Sequence, residues 1–204
     1  MGEHRPGRPD RDRPHPVTGR GRHEEAGGPC GEPPTEADLD AVHGQLGRLP
    51  RGVVEVAHRC PCGDPDVVRT APRLPDGTPF PTSFYATCPR LTGAVSTLES
   101  EGVMKDMQAR LAQNPDLAQR YAAAHDDYLR RRSELDEVPE IAGVSAGGMP
   151  TRVKCLHVLV GHALAAGPGV NPFGDEALEL LPRWWEQPCR DRHGSSPTTT
   201  RSDG

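Results

Sequence analysis

The sequence contains no apolar run long enough to span a bilayer. Its longest, CLHVLVGHALAAG at 155–167, is short and carries two histidines. Its first residues include no apolar segment of the signal-peptide kind. These absences predict a cytoplasmic protein without a membrane span. Basic charge is not in surplus either, since the formal net charge is −5 at pH 7. The first 35 residues balance six arginines against six acids, and residues 186–204 balance three against three. The whole deficit therefore lies between them. A net acidic middle argues against nucleic-acid binding, which relies on neutralising phosphates. There is no Walker or dinucleotide fingerprint and no internal repeat, so the common nucleotide-binding and solenoid classes are set aside.

Large apolar side chains are scarce at both ends. Residues 1–35 hold seven glycines and seven prolines, and residues 186–204 have no aliphatic side chain beyond threonine. Segments of this composition bury too little surface to offset their ordering entropy. The sequence therefore predicts a disordered Arg/Pro/Gly-rich arm (1–35), one folded domain (36–185) and a disordered tail (186–204).

Within the middle, TEADLDAVHGQLG (35–47) predicts a short helix with Thr35 as N-cap and Gly47 past its end. GVVEVAHR, DVVRTAPRL and TSFYATC predict three strands, with a strong turn at PDGTP (75–79) between the last two. From Pro89 onward helical spacing takes over. Helices are expected in LTGAVSTLESEG, VMKDMQARLAQN and the long PDLAQRYAAAHDDYLRRRSEL. Leu117, Tyr121, Ala124, Tyr128 and Leu135 share a face of the third. A further helix is expected from Pro150 to about Ala166, and a last one in GDEALELLPRWW. Strands followed by helices predict an α+β fold: a three-stranded antiparallel meander, then a layer of about five helices.

Cysteine is the rare residue that carries the most information. There are six, and in a reducing compartment such residues are more often metal ligands or reactive thiols than disulfides. Cys30 and Cys189 fall in the segments expected to be disordered, which leaves Cys60, Cys62, Cys88 and Cys155. In a meander the first and third strands run in the same direction, so Cys60 and Cys88 finish at the same edge of the sheet. Cys62 lies in the turn there. Cys155 belongs to the helix expected from Pro150, with His162 two turns along as an alternate ligand. His58 is a second alternate, because it alternates with Cys60 and Cys62. Four thiolates suit a structural zinc ion, and they also suit an iron–sulfur cluster. Burial as small hydrophobes is the competing reading.

A second pattern is SAGGMPTRVKCLH (145–157). If its glycines lead into a helix, Gly147 and Gly148 with Arg152, Lys154 and Arg90 could bind a small anion, phosphate or carboxylate. Ser145 and Thr151 could add hydroxyl contacts. Cys155 and His157 would then be candidate catalytic residues of a cysteine-dependent enzyme. A tight turn with solvated cations explains the same residues. A third reading is a non-catalytic adaptor that presents Trp184 and Trp185, or the face near Tyr128, to a partner.

The segments RCPCGDPDVVRTAPRLPDGTPFPTSFYATCPRL and SAGGMPTRVKCLHVLVGHALAAGPGVNPFGDEAL resemble the bacterial domain-of-unknown-function 501 family, over roughly residues 50–182. The resemblance implies a bacterial, cytosolic, single-domain protein, often encoded near a septum-formation initiator, hence the expectation of a division-related partner. It implies no activity, ligand or catalytic residue.

Overall fold

The computed structural model describes residues 31–48 and 50–189. The arm before residue 31, with Cys30, and the tail after Cys189 lie outside the described residues.

The meander forms as expected. Strands β1 (Val53–Arg59), β2 (Pro65–Thr70) and β3 (Phe84–Ala86) pair antiparallel in the order β1-β2-β3. The register places Val56 opposite Val68, and Val67 opposite Ala86. β2 is buried along its whole length, as a central strand covered on both faces must be. Helix α1 (Glu36–Leu46) precedes the sheet. Its N-terminus is closed by a capping box in which the Asp38 N–H donates to Thr35 Oγ1 and the Thr35 N–H donates to Asp38 Oδ2. The Arg59 guanidinium then grips the Asp38 carboxylate through two bonds of 2.6 and 2.9 Å, fastening α1 to β1. That contact holds the Asp38 carboxyl well below the usual carboxylate range.

After the sheet come α2 (Pro89–Ser100), α3 (Val103–Gln113), α4 (Pro115–Ser133), α5 (Leu156–Ala166) and α6 (Pro172–Leu180). α4 buries Leu117, Tyr121, Ala124 and Tyr128 on the expected face. Leu135 falls beyond the helix, and Arg132 takes its place, donating to the carbonyls of Ile141 and Val144. Tyr128 is fully buried, so it cannot be presented to a partner. The helix expected through Trp185 ends at Leu180, because Pro182 interrupts the backbone hydrogen bonding. Trp184–Glu186 forms a separate 3-10 turn, in which Trp184 packs on the core and Trp185 is exposed.

α5 is the hub. It is buried around most of its circumference and packs on the sheet, α2 and α6. Two glycines allow the closest approaches. A Cβ at Gly161 would lie 3.1 Å from the Phe84 carbonyl oxygen of β3, and one at Gly174 of α6 would lie 2.3 Å from the Leu159 oxygen. α5 starts at Leu156, six residues later than Pro150. Pro150 and Thr151 close a turn, and beyond it side chains of other helices hold the chain that leads to α5: Gln108 Oε1 accepts from the Val153 N–H at 2.9 Å, and Tyr121 Oη donates to the Arg152 carbonyl at 3.0 Å. Among the described residues, no helix is long and apolar enough to cross a membrane.

Candidate metal centre

The end of β1, the turn after it and the end of β3 converge at one edge of the sheet. They bring Cys60, Cys62 and Cys88 there, with 28 residues separating the first from the last. The chain beyond the Trp184–Glu186 turn returns to the same edge, where Arg90 Nε donates to the Pro188 carbonyl at 2.7 Å. Cys189 is thereby buried against the other three thiols. The Sγ atoms of Cys60, Cys62 and Cys189 lie within 4.8 Å of one another. Cys189 Sγ is 3.4 Å from Cys62 Sγ and 3.0 Å from Cys88 Sγ. One ion bound tetrahedrally at about 2.3 Å per thiolate holds its sulfurs about 3.8 Å apart. Cys60, Cys62 and Cys189 are close enough together for a metal ion to sit among their sulfurs, and Cys88 adjoins the group through its contact with Cys189.

Its electrostatics divide the thiols in two. Contact with the Cys189 thiol, followed by the backbone N–H groups of Leu91 and Arg90 at the start of α2, lowers the Cys88 pKa to about 7 against opposing burial. For Cys62, burial favours the neutral thiol, but the backbone N–H groups of Cys189 and Asp64 outweigh it and the net shift is downward. Burial pushes Cys60 up to about 11. Cys189 is raised as well, first by its contact with Cys88 and then by burial. Two of the sulfurs thus give up their protons more readily than an ordinary thiol, and two hold them more tightly. A cation would replace those protons.

Cys189 therefore occupies the position the sequence reading gave to Cys155. Cys155 caps α5 in an extended conformation (φ −153°, ψ 108°) and turns toward α2, where it groups with Glu99 and His157. Its Sγ is 4.0 Å from His157 Nδ1, and Glu99 Oε1 is 3.2 Å from the same nitrogen. Glu99 Oε1 also accepts from the Leu156 N–H at 2.7 Å. Contact with Cys155, then the charge of Glu99, raises the His157 pKa to about 9 despite burial. Cys155 and His157 line a cavity of about 510 Å³, together with Gln45, Tyr85 and Thr92.

The alternate histidine ligands are engaged elsewhere. His58 Nδ1 lies 2.7 Å from Asp66 Oδ1 across β1 and β2. His162 is fully buried and bonds Asp127 Oδ2 through Nε2 at 2.9 Å. Its Nδ1 accepts from Asn171 Nδ2 at 3.2 Å, and its ring stacks on Phe84.

The anion-binding arrangement does not form. Gly147 and Gly148 have φ of 76° and 95°, but they lie within a turn and open no helix. Their carbonyls accept from the Lys154 and Arg152 N–H groups, so acceptors line the turn where an anion would need donors. Arg152 and Lys154 are exposed, and Arg90 is committed to Pro188. Ser145 Oγ bonds His125 Nδ1 at 2.9 Å.

Sequence reasoning missed two residues, Cys189 and Glu99. Cys189 had a signal in its type alone, because any thiol near a folded domain is a candidate ligand. Glu99 lies on a polar α2 stripe with Thr92 and Ser96, spaced four and three, which fits a helix face turned toward a site.

No curated protein and no solved structure matches the chain. Residues 56–179 match the family described as protein of unknown function DUF501. The match includes Cys60, Cys62, Cys88, Glu99, Cys155 and His157 and ends ten residues before Cys189. Extending over more than half of the sequence, from within β1 through β2 and β3 into α6, it places this chain in the DUF501 family.

Proposed function

We propose that Cys60, Cys62, Cys88 and Cys189 bind one zinc ion whose role is to hold the end of the helical layer to the sheet. The observation that carries this reading is the convergence of four sulfurs from separate parts of the chain, with contacts of 3.0 and 3.4 Å to Cys189. Closed, four-thiolate shells are typical of structural zinc, whereas catalytic zinc keeps a position open. The tightness of the cluster supports one ion over a four-iron cluster, in which each thiolate binds a different iron and the sulfurs stand farther apart. Burial of Cys60, Cys88 and Cys189 supports a structural role.

The test is elemental analysis of the full chain, purified without oxygen or added metal, beside its Cys189→Ser variant. The wild type should carry a zinc ion that the variant lacks, and the variant should melt several degrees lower. Equal zinc content and equal melting midpoints would overturn the reading. Iron with acid-labile sulfide would replace zinc by a cluster.

A further inference from the structure

The Glu99, Cys155 and His157 cluster differs from a nucleophile–base pair in one decisive respect. In such a pair the acid orients the imidazole through the nitrogen opposite the nucleophile. Here Glu99 Oε1 and Cys155 Sγ approach the same nitrogen, Nδ1. The opposite nitrogen, Nε2, lies 3.1 Å from the Thr92 carbonyl oxygen. A carbonyl can only accept, so Nε2 carries the proton and donates. Ser96 does not change this assignment, because its hydroxyl donates to the same Thr92 carbonyl and leaves only its oxygen facing Nε2 at 3.4 Å. The second proton of the charged ring sits on Nδ1 beside Glu99, and a cation that displaced it would meet the Nδ1 lone pair facing a carboxylate and a thiol.

Three Lewis bases facing one point are a cation's donor set. An imidazole fixed by donation to a backbone carbonyl is the usual outer support of a metal-bound histidine. The spacing also fits. With zinc distances of about 2.05 Å to nitrogen or oxygen and about 2.3 Å to sulfur, tetrahedral geometry requires about 3.3 Å between N and O and about 3.6 Å between N and S. The observed separations are 3.2 and 4.0 Å.

We propose that Glu99 Oε1, Cys155 Sγ and His157 Nδ1 form a second zinc site, with its fourth position open to the adjoining cavity for water or a small oxygen-donor ligand. Carboxylate and thiolate together neutralise a divalent ion, and three protein ligands beside an open position are the pattern of catalytic zinc. The cavity, about 510 Å³, has Cys155 and His157 in its wall. It also contains Gln45, whose Oε1 is buried without a hydrogen-bond partner and suits a ligand that donates a proton.

The experiment counts zinc per full-length chain after equilibration with zinc sulfate and gel filtration, in the wild type and in Cys189→Ser, His157→Ala and Cys155→Ala variants. The wild type should hold two ions. His157→Ala and Cys155→Ala should each hold one while melting within a few degrees of the wild type, and Cys189→Ser should keep the ion they lose. Cobalt(II) bound to the wild type should show a thiolate charge-transfer intensity that Cys155→Ala lowers by one thiolate's share. Should one histidine or cysteine variant fail to fold, the other reads the same loss. Undiminished zinc in both overturns the second site, as does rapid alkylation of Cys155 that zinc does not slow. A single wild-type ion lost in His157→Ala but kept in Cys189→Ser would sustain this site and overturn the four-thiol centre. The opposite pattern would do the reverse.

Discussion

Replacing His162 with phenylalanine tests whether this histidine is a neutral structural hub. The substitution keeps an aromatic ring between Phe84 and Tyr128, whose centroids lie 5.5 and 5.2 Å from it. It deletes the bond from Nε2 to Asp127 and the acceptor of the Asn171 amide. Losing a hydrogen bond to a charged group costs about 1.5–3 kcal/mol, and leaving a buried donor unpaired costs about 1–3 kcal/mol. Asp127 still has Arg130 and Arg131, so the expected loss is about 4 kcal/mol, or about 8–16 °C in melting midpoint for a domain of this size. The sign of the pH dependence follows from burial, which lowers the His162 pKa below its ordinary 6.5 although Asp127 opposes it. Below about pH 6.5 the unfolded chain takes up a proton that the folded one refuses, and wild-type stability falls by up to about 1.4 kcal/mol per pH unit. The phenylalanine variant lacks this term. Urea unfolding of both proteins from pH 7.5 to 5.5 should show the gap narrowing by about 1 kcal/mol. A gap that stays constant or widens would refute the neutral-histidine argument, and a gap that a zinc chelator abolishes would refute the structural role.

Other perturbations bear on the fold that positions the two sites. Gly174→Ala places a Cβ 2.3 Å from the Leu159 oxygen and should cost about 1–3 kcal/mol in denaturant unfolding by forcing α5 and α6 apart; a neutral result would mean the helices slide freely. Tyr128→Phe leaves the Ser83 N–H, bonded to Tyr128 Oη at 2.7 Å, without its partner, for an expected loss of about 1–3 kcal/mol. Arg59→Met frees Asp38 and should speed amide exchange in α1 about tenfold or more while leaving α5 unchanged. Because Asp38 is held below its ordinary 3.8, its contribution is present above that pH and is lost on acidification. The variant should therefore lose part of the wild type's acid sensitivity below about pH 4.

The parts of the molecule that follow from local chemistry were legible in its sequence. Thr35 caps α1 because a hydroxyl stands just before the first turn, as read, although the reciprocal bond from Asp38 emerged only in the structure. Cys60 and Cys88 meet because a meander returns its third strand to the direction of its first. What escaped depended on distant partners. Pro150 opens no helix because Gln108 and Tyr121, on other helices, satisfy the backbone that follows. Cys189 escaped for a related reason: the segment around it has no apolar pattern of its own, and its burial comes from thiols and Arg90 elsewhere in the chain. Composition reports what a segment can bury alone and is silent about what it can be tied to.

Cys189 is separated from Cys88 by 101 residues and from Cys62 by 127. Ribosomes build chains from the N-terminus, so the three sheet thiols are finished and exposed while α2 to α6 are still being made. If the proposed ion binds there, a shell begun by these three would stay open until the last ligand arrives. The fourth thiol would then come only after the helical layer exists to carry it back, so a chain cut short before Cys189 would be left with the sheet thiols alone.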